Sequence, residues 1–199
     1  MDKREFRKVN SYEIRQAQDN NTTEIDGYIA KFDSVTELWD GFFEKIDRGA
    51  FDNTLADGHN IFLLYHHQWD KPLASTSTGT LELSTDNIGL RFKATLNENL
   101  SYSKDTIELI RQGLIQGCSF GFSCVRESCE CNCTDDSMTR TLLEVTLYEG
   151  SVLCTPQYED TTVFARAKEV AAEERKKLQE TSDLEIRKRK LNVELELLN

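Results

Sequence analysis

Long apolar runs are missing from this chain. No stretch of its 199 residues approaches the roughly 18 consecutive apolar side chains that mark a membrane-spanning helix. Its first residues, MDKREFRKVN, are charged where a secretory signal would be apolar. From both absences we expect a cytoplasmic protein with no membrane partner. Basic charge is also scarce: 24 Lys and Arg against 35 Asp and Glu give a formal net charge of −11. A general nucleic-acid binder needs a basic surface to displace counterions from phosphates, so that class is set aside. Histidine occurs three times, as His59, His66 and His67, which limits the general bases available. The Gly-rich stretch GCSFGF lacks the lysine of a phosphate-binding loop. Ser119 within it is followed by Phe-Gly-Phe, so the G-x-S-x-G nucleophile elbow is absent too.

What remains is the composition of a globular domain, 38% hydrophobic and 30% charged, and long enough to bury a core. Residues 5–32 read as two strands about the polar turn Asp19-Asn20-Asn21-Thr22. Residues 33–47 are apolar but irregular. A short helical patch from Gly49 ends near Asp57-Gly58. The run Asn60–His67 reads as a buried strand, and 79–96 as a hairpin around Asp86–Gly89. Ile107, Ile110 and Leu114 have helical spacing, which predicts a helix over 102–114. GCSFGFSC follows as a strand, and 141–153 as one or two more. From about Ala165 charges alternate without proline or glycine. Ser182 with Glu185 makes a capping box, and Leu184, Leu191 and Leu198 are spaced by seven. That pattern suits either a solvated amphipathic helix or a partner-binding arm.

Several side chains are chemically capable. His66 and His67, adjacent on the expected strand, would point to opposite faces, so they would not share one metal. Ser119 and Ser123 need a base to act as nucleophiles; taken alone, Ser119 reads as a packed strand residue. Cys118 needs the same base and would face away from Ser119. The segment CVRESCECNC, from Cys124 to Cys133, spaces its cysteines C-x4-C-x-C-x-C. That is not the paired spacing of a zinc site, so a metal centre and a loop of free thiols both stay open. Glu149 lies inside the apolar stretch Leu147–Leu153. A carboxylate there requires a partner against its desolvation, and a histidine is one such partner.

Taken in order, six segments resemble the prohead (capsid maturation) protease family of tailed bacteriophages. Gly27–Phe32 looks like the family's G-Y-A-x-x-F strand, and Glu44–Phe51 is similar to E-x-I-x-x-G-A-F. Leu64-Tyr65-His66-His67-Gln68 through Pro72-Leu73 resembles L-x-N-H-D leading to P-L-G, and Gly89-Leu90 matches a later G-L. Ile110–Phe122 follows I-R-x-G-x-I-x-G-x-S-F-G-F closely, and Leu147–Val152 with Pro156 and Tyr158 resembles L-x-E-V-S-x-V and P-A-Y. The resemblance spans about 24–166. His66 stands at the family's Asn, Gln68 at its Asp, Ala74 at a Gly, Gly150 at a Val, and Gln157 at a small residue.

The resemblance implies a serine endopeptidase with a fold similar to the herpesvirus assembly proteases. That is an α+β fold, mainly an antiparallel β-barrel flanked by helices, here with a charged helical C-terminal extension. It implies His67 as the catalytic histidine, Ser119 as nucleophile and Glu149 as the acid that orients the histidine. Backbone N–H groups near the Arg111–Gly117 turn would form the oxyanion hole. Substrates would be the major capsid protein, the scaffold (delta-type) segment and the protease itself, cut inside the immature prohead in the host cytoplasm. No cofactor or metal is implied, the cysteine-rich loop becomes a decoration of a variable hairpin, and the herpesvirus likeness hints at a homo-oligomer. The expected domains are a protease domain, 1–166, and a helical tail, 167–199. The competing reading is a catalytically inactive assembly or scaffold factor acting through the C-terminal helices.

Overall fold

The computed structural model describes the backbone of residues 5–9 and 15–19, and residues 21–132, 137–154 and Arg187. The chain falls into two units, Met1–Gln157 and Tyr158–Asn199, and everything below concerns the first. The expected helical tail, Pro156 and Tyr158, and the 166/167 boundary lie outside the described residues.

Among the described residues, eleven strands and two helices follow one another as β1 (Glu5–Val9), β2 (Arg15–Asp19), β3 (Thr22–Lys31), β4 (Thr36–Trp39), β5 (Phe42–Ile46), α1 (Asp52–Ala56), β6 (Phe62–Tyr65), β7 (Gln68–Ser75), β8 (Leu81–Thr85), β9 (Gly89–Asn97), α2 (Ser101–Arg111), β10 (Ile115–Asn132) and β11 (Ser137–Cys154). They build two sheets. One is an antiparallel four-stranded sheet ordered β2-β3-β9-β8; the other has seven strands, ordered β1-β10-β11-β5-β4, with β6 also on β11 and β7 on β6. Apolar side chains from both sheets, such as Ile25, Ile29 and Phe92 with Phe120, Phe122 and Leu147, share one core.

The α+β class agrees with expectation, but the closed antiparallel barrel does not. Among the described residues the sheets stay open, ending on β1, β4 and β7 in one and on β2 and β8 in the other. The cause is β11. Its outer edge is divided between two short parallel strands, β5 against Met138–Leu142 and β6 against Glu149–Val152. Each leads outward to its own edge strand instead of wrapping round to close the sheet.

Residues between β5 and β6 complete that edge of β11. Asp47 N–H donates to the Leu142 carbonyl, Val145 N–H to the Ala50 carbonyl, and Leu147 N–H to Thr54 Oγ1. The His59 ring donates to the Leu147 carbonyl. The backbone of this buried strand is thereby satisfied where no neighbouring strand is present.

Residues 33–47 are not irregular but form β4 and β5. Their pattern was obscured because β5 buries Phe42, Glu44 and Ile46 on one face, so a carboxylate occupies an apolar position. Glu44 is paired there with buried Arg140. α2 stops at a Schellman closure in which Gly113 N–H donates to Ile110 O and Leu114 N–H to Leu109 O. Gly113 has φ +69°, and β10 starts two residues later.

Candidate active site

β6 and β7 pair at Tyr65 and Gln68, so His66 and His67 are the two central residues of a two-residue hairpin. Their φ values are +49° and +59°, the signature of a type I′ turn. They therefore do not lie on a strand as the sequence suggested. The apolar run before them ends one turn earlier, because the hairpin needs two left-handed residues there. Histidine is enriched among the few non-glycine residues found in this conformation. The two rings still diverge: His66 Nε2 accepts a long bond of 3.4 Å from Cys154 N–H, whereas His67 turns toward Glu149.

The turn is docked on β11. His66 N–H donates to the Val152 carbonyl at 3.1 Å, which continues the parallel β6–β11 ladder past the end of β6. His67 N–H donates to Ser151 Oγ at 3.0 Å. Within the site, His67 Nδ1 lies 2.7 Å from Glu149 Oε1, and Ser151 Oγ donates to Glu149 Oε2 at 2.6 Å. Glu149 is fully buried, and the His67 side chain is 28% exposed. A buried carboxylate costs free energy unless it is hydrogen-bonded; here each oxygen has a donor.

Ser119 is placed by register. On β10 it stands opposite Ser151, and Gly121 stands opposite Glu149. Directly opposed residues share a sheet face, as do residues two apart on one strand. Ser119, Ser151 and Glu149 therefore share a face, and Gly121 adds no side chain opposite Glu149. Cys118, Phe120, Phe122 and Val152 occupy the opposite face, inside the core. The structure thus brings together the elements carrying His67, Ser119 and Glu149 and sends Cys118 elsewhere. Burial pushes the Cys118 thiol well above its ordinary value, the reverse of what a nucleophilic cysteine requires.

The remaining candidates have other surroundings. Ser123 accepts from Tyr148 OH at 3.3 Å. Cys124 donates to Glu127 Oε2, and its thiol is pushed up to about 12, chiefly by burial. The expected cysteine-rich loop is largely strand: Cys124, Cys129 and Cys131 lie on β10, paired with β11 out to Asn132 and Ser137, and Cys133 lies outside the described residues. Among the described residues no group of three or more His, Cys, Asp and Glu side chains could hold a metal ion. Sequence reasoning missed Ser151; its spacing of two from Glu149 on a strand was the available signal. It also left His59 without a role.

The sequence comparison decides the family. The model of the family described as caudovirus prohead serine protease matches residues 10–176. The chain belongs to that family. No curated protein and no solved structure matches it. Membership in the prohead protease family implies a serine peptidase of capsid maturation, with capsid protein as its substrate class and the phage prohead as its place of action. No helix of the described residues is long and apolar enough to cross a membrane.

Proposed function

We propose that this chain is a serine endopeptidase that trims the major capsid protein, the scaffold and itself during prohead maturation. Ser119 is the nucleophile, His67 the general base and acid, and Glu149 the carboxylate that orients the imidazole. The observation that carries the reading is the His67 Nδ1–Glu149 Oε1 contact of 2.7 Å, on the sheet face that also bears Ser119. A carboxylate oxygen can only accept, so Nδ1 carries the proton and Nε2 is the basic nitrogen. His67 takes the proton of Ser119 as Oγ attacks the peptide carbonyl, then returns it to the leaving amine. Buried Glu149 stabilises the imidazolium formed between these steps. Within the α2–β10 junction, 111–117, the Gln112, Gly113 and Leu114 N–H groups close the end of α2, so the oxyanion is stabilised from the part of the junction beyond them, 115–117.

Co-expression with the phage's major capsid protein tests the reading by intact mass. The wild-type enzyme should trim the capsid protein, Ser119→Ala should slow trimming by at least about 10³-fold, and Cys118→Ala should still trim. Trimming that survives Ser119→Ala and stops in Cys118→Ala would overturn the nucleophile assignment. No trimming by the wild type would favour the inactive assembly factor.

A further inference from the structure

We propose that Ser151 is a positioning residue that sets both the tautomer and the orientation of His67, an inference that rests on the roles just given to His67 and Glu149. Four groups form a closed ring: the His67 backbone N–H, Ser151 Oγ, the Glu149 carboxylate and His67 Nδ1. The bond directions in the ring follow from two fixed groups, an amide that only donates and a carboxylate that only accepts. The His67 amide can only donate, so Ser151 Oγ accepts from it at 3.0 Å. A hydroxyl has a single proton, which Ser151 then gives to Glu149 Oε2 at 2.6 Å. That bond holds the Glu149 carboxylate in one orientation, with its other oxygen against the proton of His67 Nδ1. The carboxylate requires the proton on Nδ1; Ser151, held by a main-chain amide, fixes which way that carboxylate faces, and so keeps Oε1 on Nδ1 and Nε2 basic.

The same hydroxyl holds the backbone. His66 and His67 sit at φ +49° and +59°, a conformation that L-residues occupy at a cost. The Ser151 bond and the His66 N–H bond to Val152 O tie that turn to β11. Ser151 is fully buried, so water does not readily replace the hydroxyl when it is removed.

Two readouts test the role on the full-length protein, using Ser151→Val and Ser151→Thr, which are matched in shape and differ in the hydroxyl. The first is the 15N imidazole spectrum, with His67 assigned by its loss in His67→Gln. Ser151→Val should move His67 from the Nδ1–H form to a tautomer mixture, and Ser151→Thr should restore the wild-type pattern. The second is the rate of covalent labelling by a fluorophosphonate, expected to fall about 10- to 100-fold in Ser151→Val and to recover in Ser151→Thr. A folded Ser151→Val protein whose His67 spectrum matches wild type would overturn the proposal; Ser151→Ala serves if the valine variant does not fold. Mass mapping of the label in wild type separates the two levels of inference. Label on a residue other than Ser119, or none, would count against the protease reading alone, because the nitrogen spectrum reports on Ser151 without any catalysis.

Discussion

Gly150 illustrates how one residue couples the site to the core. It lies between Glu149 and Ser151 and faces the other way, where a Cβ would come within 2.6 Å of Ile29 Cδ1 and 3.2 Å of Cγ1. Ile29 is fully buried and cannot swing aside freely. The resembled motif has valine at position 150; here the volume is supplied by Ile29 from the opposite sheet. Gly150→Val should therefore destabilise the fold by about 1–3 kcal/mol. Adding Ile29→Ala should recover part of that loss, with a coupling of at least about 0.5 kcal/mol in a denaturant-unfolding double-mutant cycle. Full additivity would mean that the two side chains do not compete for space. At this scale the pairing of Glu149 with a histidine was legible in the sequence, because a carboxylate within an apolar stretch calls for a partner. The conformation of His66 and His67 was not, since two histidines after an apolar run also suit a strand, and φ is settled only by the pairing of Tyr65 with Gln68.

Among the elements, the β10–β11 hairpin departs most from what periodicity suggested. Both strands run 18 residues, and the far half of the pair is held by a buried ionic cluster. Arg140 on β11 bonds Glu44 of β5 at 3.2 Å and pairs with Glu127 of β10. Arg140 and Glu44 are almost wholly buried. Removing the guanidinium would leave the Glu44 carboxylate without compensation, so Arg140→Met should cost about 3–5 kcal/mol in chemical denaturation. The Arg140→Met, Glu44→Gln double variant should be less destabilised than the single one; equal or greater loss would mean that the pair is not energetically coupled. Hairpins and α2 could be read from turn residues and spacing because those signals are local. Parallel pairing of β11 with β5 and β6 could not, because each short strand meets a partner roughly ninety residues away, and no local pattern records the choice.

For the molecule as a whole, pH acts through the two other histidines with opposite signs. Burial disfavours charge on His59, but the Leu147 carbonyl and the Asp57 carboxylate outweigh it, so its pKa stands above the usual 6.5. Its contribution to stability is complete below 6.5, where the unfolded histidine is charged too, and is lost as pH rises through the higher folded value. His66 is shifted down by burial, and further by His67 and Lys71. Its contribution is present above 6.5 and lost as pH falls through the lower folded value. Melting curves of wild type and His59→Gln should therefore differ most near about pH 5.5 and converge toward about pH 8.5; a gap independent of pH would show that the His59 charge contributes nothing. The two-sheet layout was only partly foreseeable, because whether a sheet closes depends on how strand edges are shared, and here β11 shares its edge. That arrangement also bears on synthesis. Until residues 137–154 have left the ribosome, β5, β6 and β10 all lack the strand that joins them, and neither Glu149 nor Ser151 is available to His67. A nascent chain can thus carry both His67 and Ser119 before the strand that brings Glu149 and Ser151 to them exists.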